Sequence, residues 1–264
     1  MSISYLRGLV ARDRSQRANR HLGGILAFVA GAVNACGFVA LEQFTSHISG
    51  VVSGIATGAA YGDIYLLLSG VIILLAFTFG ASSAALLISW GRRKRLHSQY
   101  ALPLLLEAIM LAAFCLLGCS GVKLYLVFVP LTIIGLCCVM GMQNALITKL
   151  SNAEIRTTHL TGMVTDIGIE LGKLLYWNRC RRPDSPPPVI ASRSKLCMLA
   201  ALVLLFFAGG VSGALGFQYA SYAAVLPLSA LLALLAVVPI SDDITGKIHR
   251  APATPRAGGS QLAR

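Results

Sequence analysis

Long apolar segments separated by short polar ones make up most of this chain. Six of them lie at about 22–41, 64–90, 101–121, 124–147, 196–216 and 218–240. Each is close to or above the roughly 20 residues that an α-helix needs to cross a bilayer. None has the polar outer face of a helix in a soluble protein. The pattern predicts an all-α, polytopic transmembrane helix bundle of about six spans.

A polar, glycine-containing motif interrupts this pattern once in each half of the chain. The segment 46–50 (Ser-His-Ile-Ser-Gly) returns about 112 positions later as 158–162 (Thr-His-Leu-Thr-Gly). Each copy opens a stretch of small residues and follows an apolar segment that carries an asparagine, Asn34 or Asn144. The repetition predicts two copies of one structural unit, with a site where they meet.

Composition and charge place the chain in a membrane. Hydrophobic residues make up 56% of the sequence and charged residues 12%, and the mean hydropathy is +0.74, far outside the range of soluble domains. The formal net charge of +12 comes from clusters that flank the spans. Because Lys and Arg are enriched in cytoplasmic loops, the charge indicates topology and not nucleic-acid binding.

The same bias predicts the number of spans. If the motif segments 46–60 and 158–172 do not cross, six spans leave only Lys123 on the outer side. If both cross, the basic cluster 92–95 moves outside, together with Lys149 and Arg156. The count favours six spans, with the N- and C-termini cytoplasmic. The motif segments are then two short broken or re-entrant helices, tolerated at membrane depth only where protein or a cavity surrounds them.

Three spans per half is an odd number, so the halves face opposite ways. This predicts an inverted 3+3 repeat, an arrangement of many secondary transporters. The predicted organisation is a basic cytoplasmic tail at 1–21, membrane repeats at 22–121 and 122–240, a cytoplasmic linker at 173–195 within the second repeat, and a disordered cytoplasmic tail at 241–264.

The motifs supply the candidate substrate-binding residues. These are Asn34, Ser46, His47, Ser49, Gly50, Asn144, Thr158, His159, Thr161 and Gly162. Hydroxyls can cap a half-helix, whose N-terminus favours an anionic or carbonyl-bearing ligand. Histidine can carry a proton or donate a hydrogen bond. The alternative is close helix packing through small residues. Packing is the stronger interpretation of either motif alone, and the repetition with both histidines retained makes the two interpretations equal.

Three carboxylates are hypotheses for ion or proton coupling. Glu107 lies six residues into the third span, where an ionisable group is costly; alternatively it lies near the headgroups and pairs with the Arg92–Arg95 cluster. Asp166 and Glu170 share one helical face after the second motif. Glu170 is expected to pair with Lys173 one turn away. Asp166 has no basic residue close in sequence and is the better coupling candidate.

No motif in the chain indicates an enzyme. Hydrolase, nucleotide-binding, metalloprotease and dinucleotide-binding patterns are absent from the sequence, and the seven cysteines form no pairs with metal-ligand spacing. We therefore expect no catalytic residues, no metal and no cofactor. An intramembrane enzyme that uses His47, His159 and Asp166 is the weakest alternative.

Four segments resemble the YoaK-like family of bacterial membrane proteins, a domain of unknown function. They are 27–38, 46–50, 141–145 and 157–162, and the similarity covers roughly residues 22–240. The family usually has Asp at the position of Asn34 and Thr-Gly-Asn at 49–51, so this chain lacks a carboxylate and an amide in its first copy. The resemblance implies a location and a topology, without a substrate.

The leading hypothesis is a transporter-like inner-membrane protein that moves a small solute, with anions among the candidates, through a site formed by both motifs. The alternative is a non-transporting assembly, lipid-binding or sensor protein in which the motif is a packing joint. The predicted partners are the lipid bilayer and a small-molecule solute, with no nucleic acid. The sequence leaves the oligomeric state open.

Overall fold

The structure, a computed structural model, describes residues 16–119, 125–150, 159–176 and 189–245. The regular elements in these ranges are α1 Gln16–Leu41, α2 Ile48–Tyr61, α3 Ile64–Arg93, α4 Ala101–Cys119, α5 Tyr125–Leu150, α6 Leu160–Leu175, α7 Arg193–Ala220, a 3-10 helix Ser221–Val225, and α8 Leu226–Ile244. No strand occurs in this part of the chain, so the predicted all-α class is confirmed for it.

Within the described ranges, five helical stretches are long and apolar enough to cross a membrane. They are Arg17–Leu41, Ile64–Arg93, Ala101–Cys119, Phe128–Leu150 and Arg193–Ile244. The last has 52 residues, about twice the length that one crossing requires, and contains α7 and α8. The 3-10 helix divides it, beginning at Ser221, whose φ of 47° is unusual for a residue other than glycine. By length and composition, the chain is a multi-pass membrane protein.

Helices α2 and α6 are shorter than these. They have 14 and 16 residues, or about 21 and 24 Å at 1.5 Å per residue, against about 30 Å for the hydrocarbon core. Gly62 follows the last residue of α2, and its φ of 73° is the left-handed conformation that glycine adopts without strain. Asp63 then caps α3, its Oδ1 accepting the Leu66 N–H at 3.0 Å. These two residues fold α2 back along the start of α3, where Gly58 lies against the backbone of Leu67.

Helix α1 packs along α7 in the same direction. Arg20 Nη2 lies 3.4 Å from Ser194 Oγ near the start of both helices, and Cys36 Sγ lies 3.3 Å from the Gly213 carbonyl oxygen further along. In between, a β-carbon on Gly31 or Gly209 would overlap the carbonyl group of the facing helix. Glycine therefore allows backbone contact here, as small residues do between membrane helices.

Helices α3 and α5 make a contact of the same kind. A β-carbon on Gly141 would overlap the carbonyl group of Phe77, and one on Gly80 would overlap that of Cys138. Gly135, on the same helix as Gly141, has no neighbouring atom within 4 Å of its β-position. The close approach is therefore confined to particular glycines.

Helices α4 and α8 form the third pair. Ser229 Oγ donates to the Ala108 carbonyl at 2.7 Å in a buried position. Near the end of α8, the Asp243 carboxylate accepts the backbone N–H groups of His97 and Ser98 at 3.2 and 2.8 Å, which satisfies donors just before α4. A shared core of buried apolar side chains joins α1, α4, α5, α7 and α8, with Ile88 from α3 and Met163 from α6, and no residue of α2 belongs to it.

Candidate functional site

Both copies of the motif line one cavity. Its volume is about 920 Å³, within the range of small-molecule sites. The candidate residues on its wall are Asn34, Ser46, His47, Ser49, Asn144, His159, Thr161, Gly162 and Asp166. Residues more than 100 positions apart in sequence are therefore brought together. Thr158 lies outside the described residues.

The backbone before α2 is fixed by Asn34. Its side-chain Oδ1 accepts the Thr45 and Ser46 backbone N–H groups at 3.1 and 3.2 Å and the Ser46 hydroxyl at 3.1 Å, and the Thr45 hydroxyl lies 3.4 Å away. These contacts connect α1 directly to the residues that precede His47. Asn34 thus positions the first motif as well as lining the cavity.

Asn144 is the corresponding asparagine of the second half and lies in α5. Its Nδ2 donates to the Met140 carbonyl at 3.0 Å, one turn earlier on α5. The Thr148 hydroxyl donates to the Asn144 carbonyl at 2.7 Å, and Thr148 also lines the cavity.

The two histidines occupy the same position in their helices. His47 and His159 are the N-cap residues of α2 and α6, with φ/ψ of −87°/61° and −83°/56°. Neither side chain caps its helix, and each imidazole instead lies over the glycine three residues later. A β-carbon on Gly50 or Gly162 would overlap the histidine ring, which explains why the motif has glycine at that place. Gly162 lines the cavity, whereas Gly50 does not.

Two helix N-termini are presented to the cavity by this arrangement. The first turn of an α-helix has N–H groups without intrahelical acceptors and carries partial positive charge. Ser49 and Thr161 lie in those first turns, and both line the cavity. The site can therefore offer backbone N–H groups, hydroxyls and imidazoles to one ligand. Within the described ranges, no group of three His, Cys, Asp or Glu side chains is placed to hold a metal ion.

Asp166 has a basic partner that its local sequence did not indicate. Its Oδ2 lies 3.2 Å from Lys195 Nζ, supplied by the first turn of α7. Both side chains are nearly half exposed, at 44% and 45%. Asp166 has no basic residue close in sequence, and its partner Lys195 is 29 residues away. Asp166 contributes a paired charge to the cavity wall.

Glu170 lies away from the cavity and connects α6 to α7. Its Oε1 accepts from Lys173 at 2.9 Å, the ion pair that the spacing predicted, and its Oε2 accepts the Ser192 N–H at 2.7 Å. The hydrogen bonds from Lys173 and then from Ser192 lower the pKa of Glu170 below its usual value. The carboxylate is therefore held ionised as a joint between the two helices.

We expect Glu170→Gln to lower the thermal unfolding midpoint at pH 7. Because the folded-state pKa is below the unfolded one, the stabilisation by the carboxylate is complete above pH 4.5 and is lost as the pH falls through the lowered value. The difference between the unfolding midpoints of the parent protein and Glu170→Gln should therefore become smaller below pH 4.5, as measured by thermal unfolding over a range of pH. Glu42→Gln, at an exposed position, is the control. A gap that does not depend on pH would contradict this role.

Glu107 is buried inside the helix bundle. Its exposed fraction is 0%, and neither carboxyl oxygen has a hydrogen-bond partner among the described residues. The alternative that it pairs with the Arg92–Arg95 cluster near the headgroups is wrong, because the side chain points into the core. It also does not line the cavity.

Three phenylalanines on the cavity wall were not predicted from the sequence. They are Phe44, Phe77 and Phe206. Phe77 and Phe206 each stand three residues before a contact glycine, Gly80 and Gly209. That Phe-x-x-Gly spacing could have indicated these two phenylalanines in the sequence. Phenylalanine is too common in apolar spans for the spacing to be distinctive.

Comparison with known proteins gives a family and no relative of known activity. A family model described as "Protein of unknown function (DUF1275)" matches residues 22–238, almost the 22–240 expected from the motif resemblance; the YoaK-like name itself stays a prediction. Searches of curated proteins and of solved structures gave no match. The match includes all the described cavity residues and most of the chain, which therefore belongs to the DUF1275 family of proteins of unknown function.

Proposed function

We propose that this protein is a transporter-like membrane protein that binds a small solute in the cavity between its two halves. The observation that carries the proposal is the convergence of both motif copies on one cavity of about 920 Å³. Discontinuous helices whose N-termini meet at a repeat interface are how many secondary transporters bind substrate. Helices α2 and α6 are short enough for that role.

An inverted repeat is part of this proposal. The contact residues 28 and 31 of α1 recur 110 positions later as 138 and 141 of α5, and residues 77 and 80 of α3 recur 129 positions later as 206 and 209 of α7. The α1–α7 and α3–α5 contacts are thus the same contact made twice between halves. Six spans with cytoplasmic termini, counting α7 and α8 separately, give the halves opposite orientations.

The chemistry of the wall favours an anionic solute. Two helix N-termini and two imidazoles are donors or partial positive charges, and the carboxylate of Asp166 is offset by Lys195. Phe44, Phe77 and Phe206 add apolar surface. A small organic anion with an apolar part matches both features.

Asp166 is the proposed coupling residue. It is the carboxylate among the three candidates that lines the cavity, and protonation would release Lys195 from its ion pair. Glu170 is better explained as a joint between α6 and α7, and Glu107 lies away from the wall. A proton entering at Asp166 would therefore change the charge that the solute meets.

A thermal-shift screen of the purified protein tests the proposal. Small organic anions, inorganic anions, cations and lipids are added separately, and a ligand that binds the folded state raises the unfolding midpoint. We expect a shift from an anion class and saturable flux of that anion into proteoliposomes. No shift with any soluble anion would reject the proposal.

The second candidate is a non-transporting protein in which the motif is a packing joint. The observation that favours it is the fit of each histidine over its glycine, together with the Asn34 contacts at the start of α2. This function predicts loss of stability in the histidine variants, without any ligand-dependent shift in the parent protein. The screen therefore separates the two.

Cysteine labelling tests the orientation. In a variant without native cysteines, single cysteines placed at 92–97 should react with an impermeant maleimide only from the cytoplasmic side, because the basic loop faces inward. A cysteine at position 61, exposed at the end of α2, should react from the outside. Outside labelling at 92–97 would contradict six spans and the inverted repeat.

A further inference from the structure

A second groove runs between the first halves of α1 and α7. Its volume is about 830 Å³, and it is separate from the cavity that contains the motifs. Arg20, His21 and Ser194 lie at one end, and the rest of the lining is almost entirely apolar. The polar end coincides with the start of both helices.

The groove follows one face of each helix. On α1 the lining residues that follow Arg20 and His21 come one and two turns later, and on α7 the lining extends from Ser194 to Leu205. The eleven residue steps from Ser194 to Leu205 span about 16 Å, which is close to half of the roughly 30 Å hydrocarbon core. The length of the groove along the helices therefore matches the thickness of one lipid leaflet.

The floor of the groove depends on Gly24. A β-carbon there would lie 2.9 Å from Leu205 Cδ1, so a larger residue would fill the space. Leu202 beneath it is part of the buried core, whereas Ala201 on the rim is exposed. The groove is thus a built depression that opens toward the bilayer.

Positive charge at the polar end distinguishes this groove from ordinary lipid-facing surface. Arg20 contacts the Ser194 hydroxyl at 3.4 Å, and Arg17 and Arg193 lie nearby in sequence at the starts of the same helices. No carboxylate is among the described residues that line it. A guanidinium and a hydroxyl at headgroup level suit a phosphate.

We propose that this groove binds an anionic phospholipid, with one acyl chain between α1 and α7 and the phosphate at Arg20, His21 and Ser194. An uncharged lipid fits the apolar part equally well but gains nothing from the basic end. Because the lipid would bridge α1 of the first half and α7 of the second, it would stabilise their contact.

Native mass spectrometry of the full-length protein in detergent tests this proposal. Phosphatidylglycerol, phosphatidylcholine with the same chains, and glycerol 3-phosphate are titrated separately. We expect phosphatidylglycerol to bind preferentially. Arg20→Gln should weaken that binding about fivefold, the loss of one basic charge at an anionic surface, and Ala201→Trp should fill the groove and abolish the specific adduct.

Matched variants control for charge and bulk. Arg93→Gln removes an exposed arginine at the end of α3, and Ala208→Trp adds the same bulk two turns further along α7; both should bind like the parent. Arg20→Lys should retain most of the binding, which separates charge from misfolding. The proposal would be overturned if the two lipids bound equally well, or if the control variants lost as much phosphatidylglycerol binding as Arg20→Gln and Ala201→Trp. It would also be overturned if glycerol 3-phosphate bound as tightly as phosphatidylglycerol.

Discussion

Replacement of either cavity histidine with alanine is expected to weaken solute binding about tenfold or more and to remove solute-dependent flux. His47 and His159 begin the two short helices and line the same cavity. A hydrogen bond to a charged group contributes about 1.5–3 kcal/mol, and 1.4 kcal/mol is tenfold in affinity. The measurement is the affinity for the anion that the screen identifies, followed by flux in proteoliposomes.

His97→Ala is the matched control for these variants. His97 precedes α4 and does not line the cavity, so both affinity and flux should match those of the parent protein. The unfolding midpoint without solute must be measured for every variant, because each cavity histidine also packs on its glycine. Variants that lose stability but bind and transport normally would support the packing joint instead.

The second large effect is expected from the glycines at the helix contacts. Gly141→Ala should lower the unfolding midpoint substantially, because the new methyl group would overlap the Phe77 carbonyl and force α3 and α5 apart. Overpacking a well-packed contact costs about 1–3 kcal/mol. Gly31→Ala should have a similar effect on α1 and α7, because Gly31 meets the Phe206 carbonyl in the same way.

Gly135→Ala, on the same helix as Gly141, is the control. Its β-position has no neighbour within 4 Å, and alanine is favoured over glycine inside a helix by up to about 1 kcal/mol. We therefore expect an unchanged or slightly raised midpoint in thermal unfolding. Equal midpoints for the variants at 135 and 141 would show that the close approach does not contribute to stability.

The local elements could be predicted from the sequence because their signals are local. Apolar length indicated the long helices, and the polar motif indicated where the short helices begin, at Ile48 and Leu160. The Glu170–Lys173 pair followed from helical spacing. In each case the residues that determine the feature are near one another in the chain.

Contacts between helices that are distant in sequence could not be predicted in the same way. The Asp166–Lys195 ion pair depends on how α6 meets α7, and the burial of Glu107 depends on which face α4 turns inward. Phe77 and Phe206 line the cavity only because their helices pack against α5 and α1. Small residues favour close packing of helices but do not determine which helix is the partner.

The central claim is that both motif copies bind one solute molecule, and a double-mutant cycle tests it most directly. The affinity for the identified anion is measured for the parent, His47→Ala, His159→Ala and the double variant. If both histidines contact one bound solute, the losses should be non-additive by about 0.5–3 kcal/mol, as for residues that share a partner. Losses that add within about 0.5 kcal/mol, or an affinity unaffected by one histidine, would contradict a shared site.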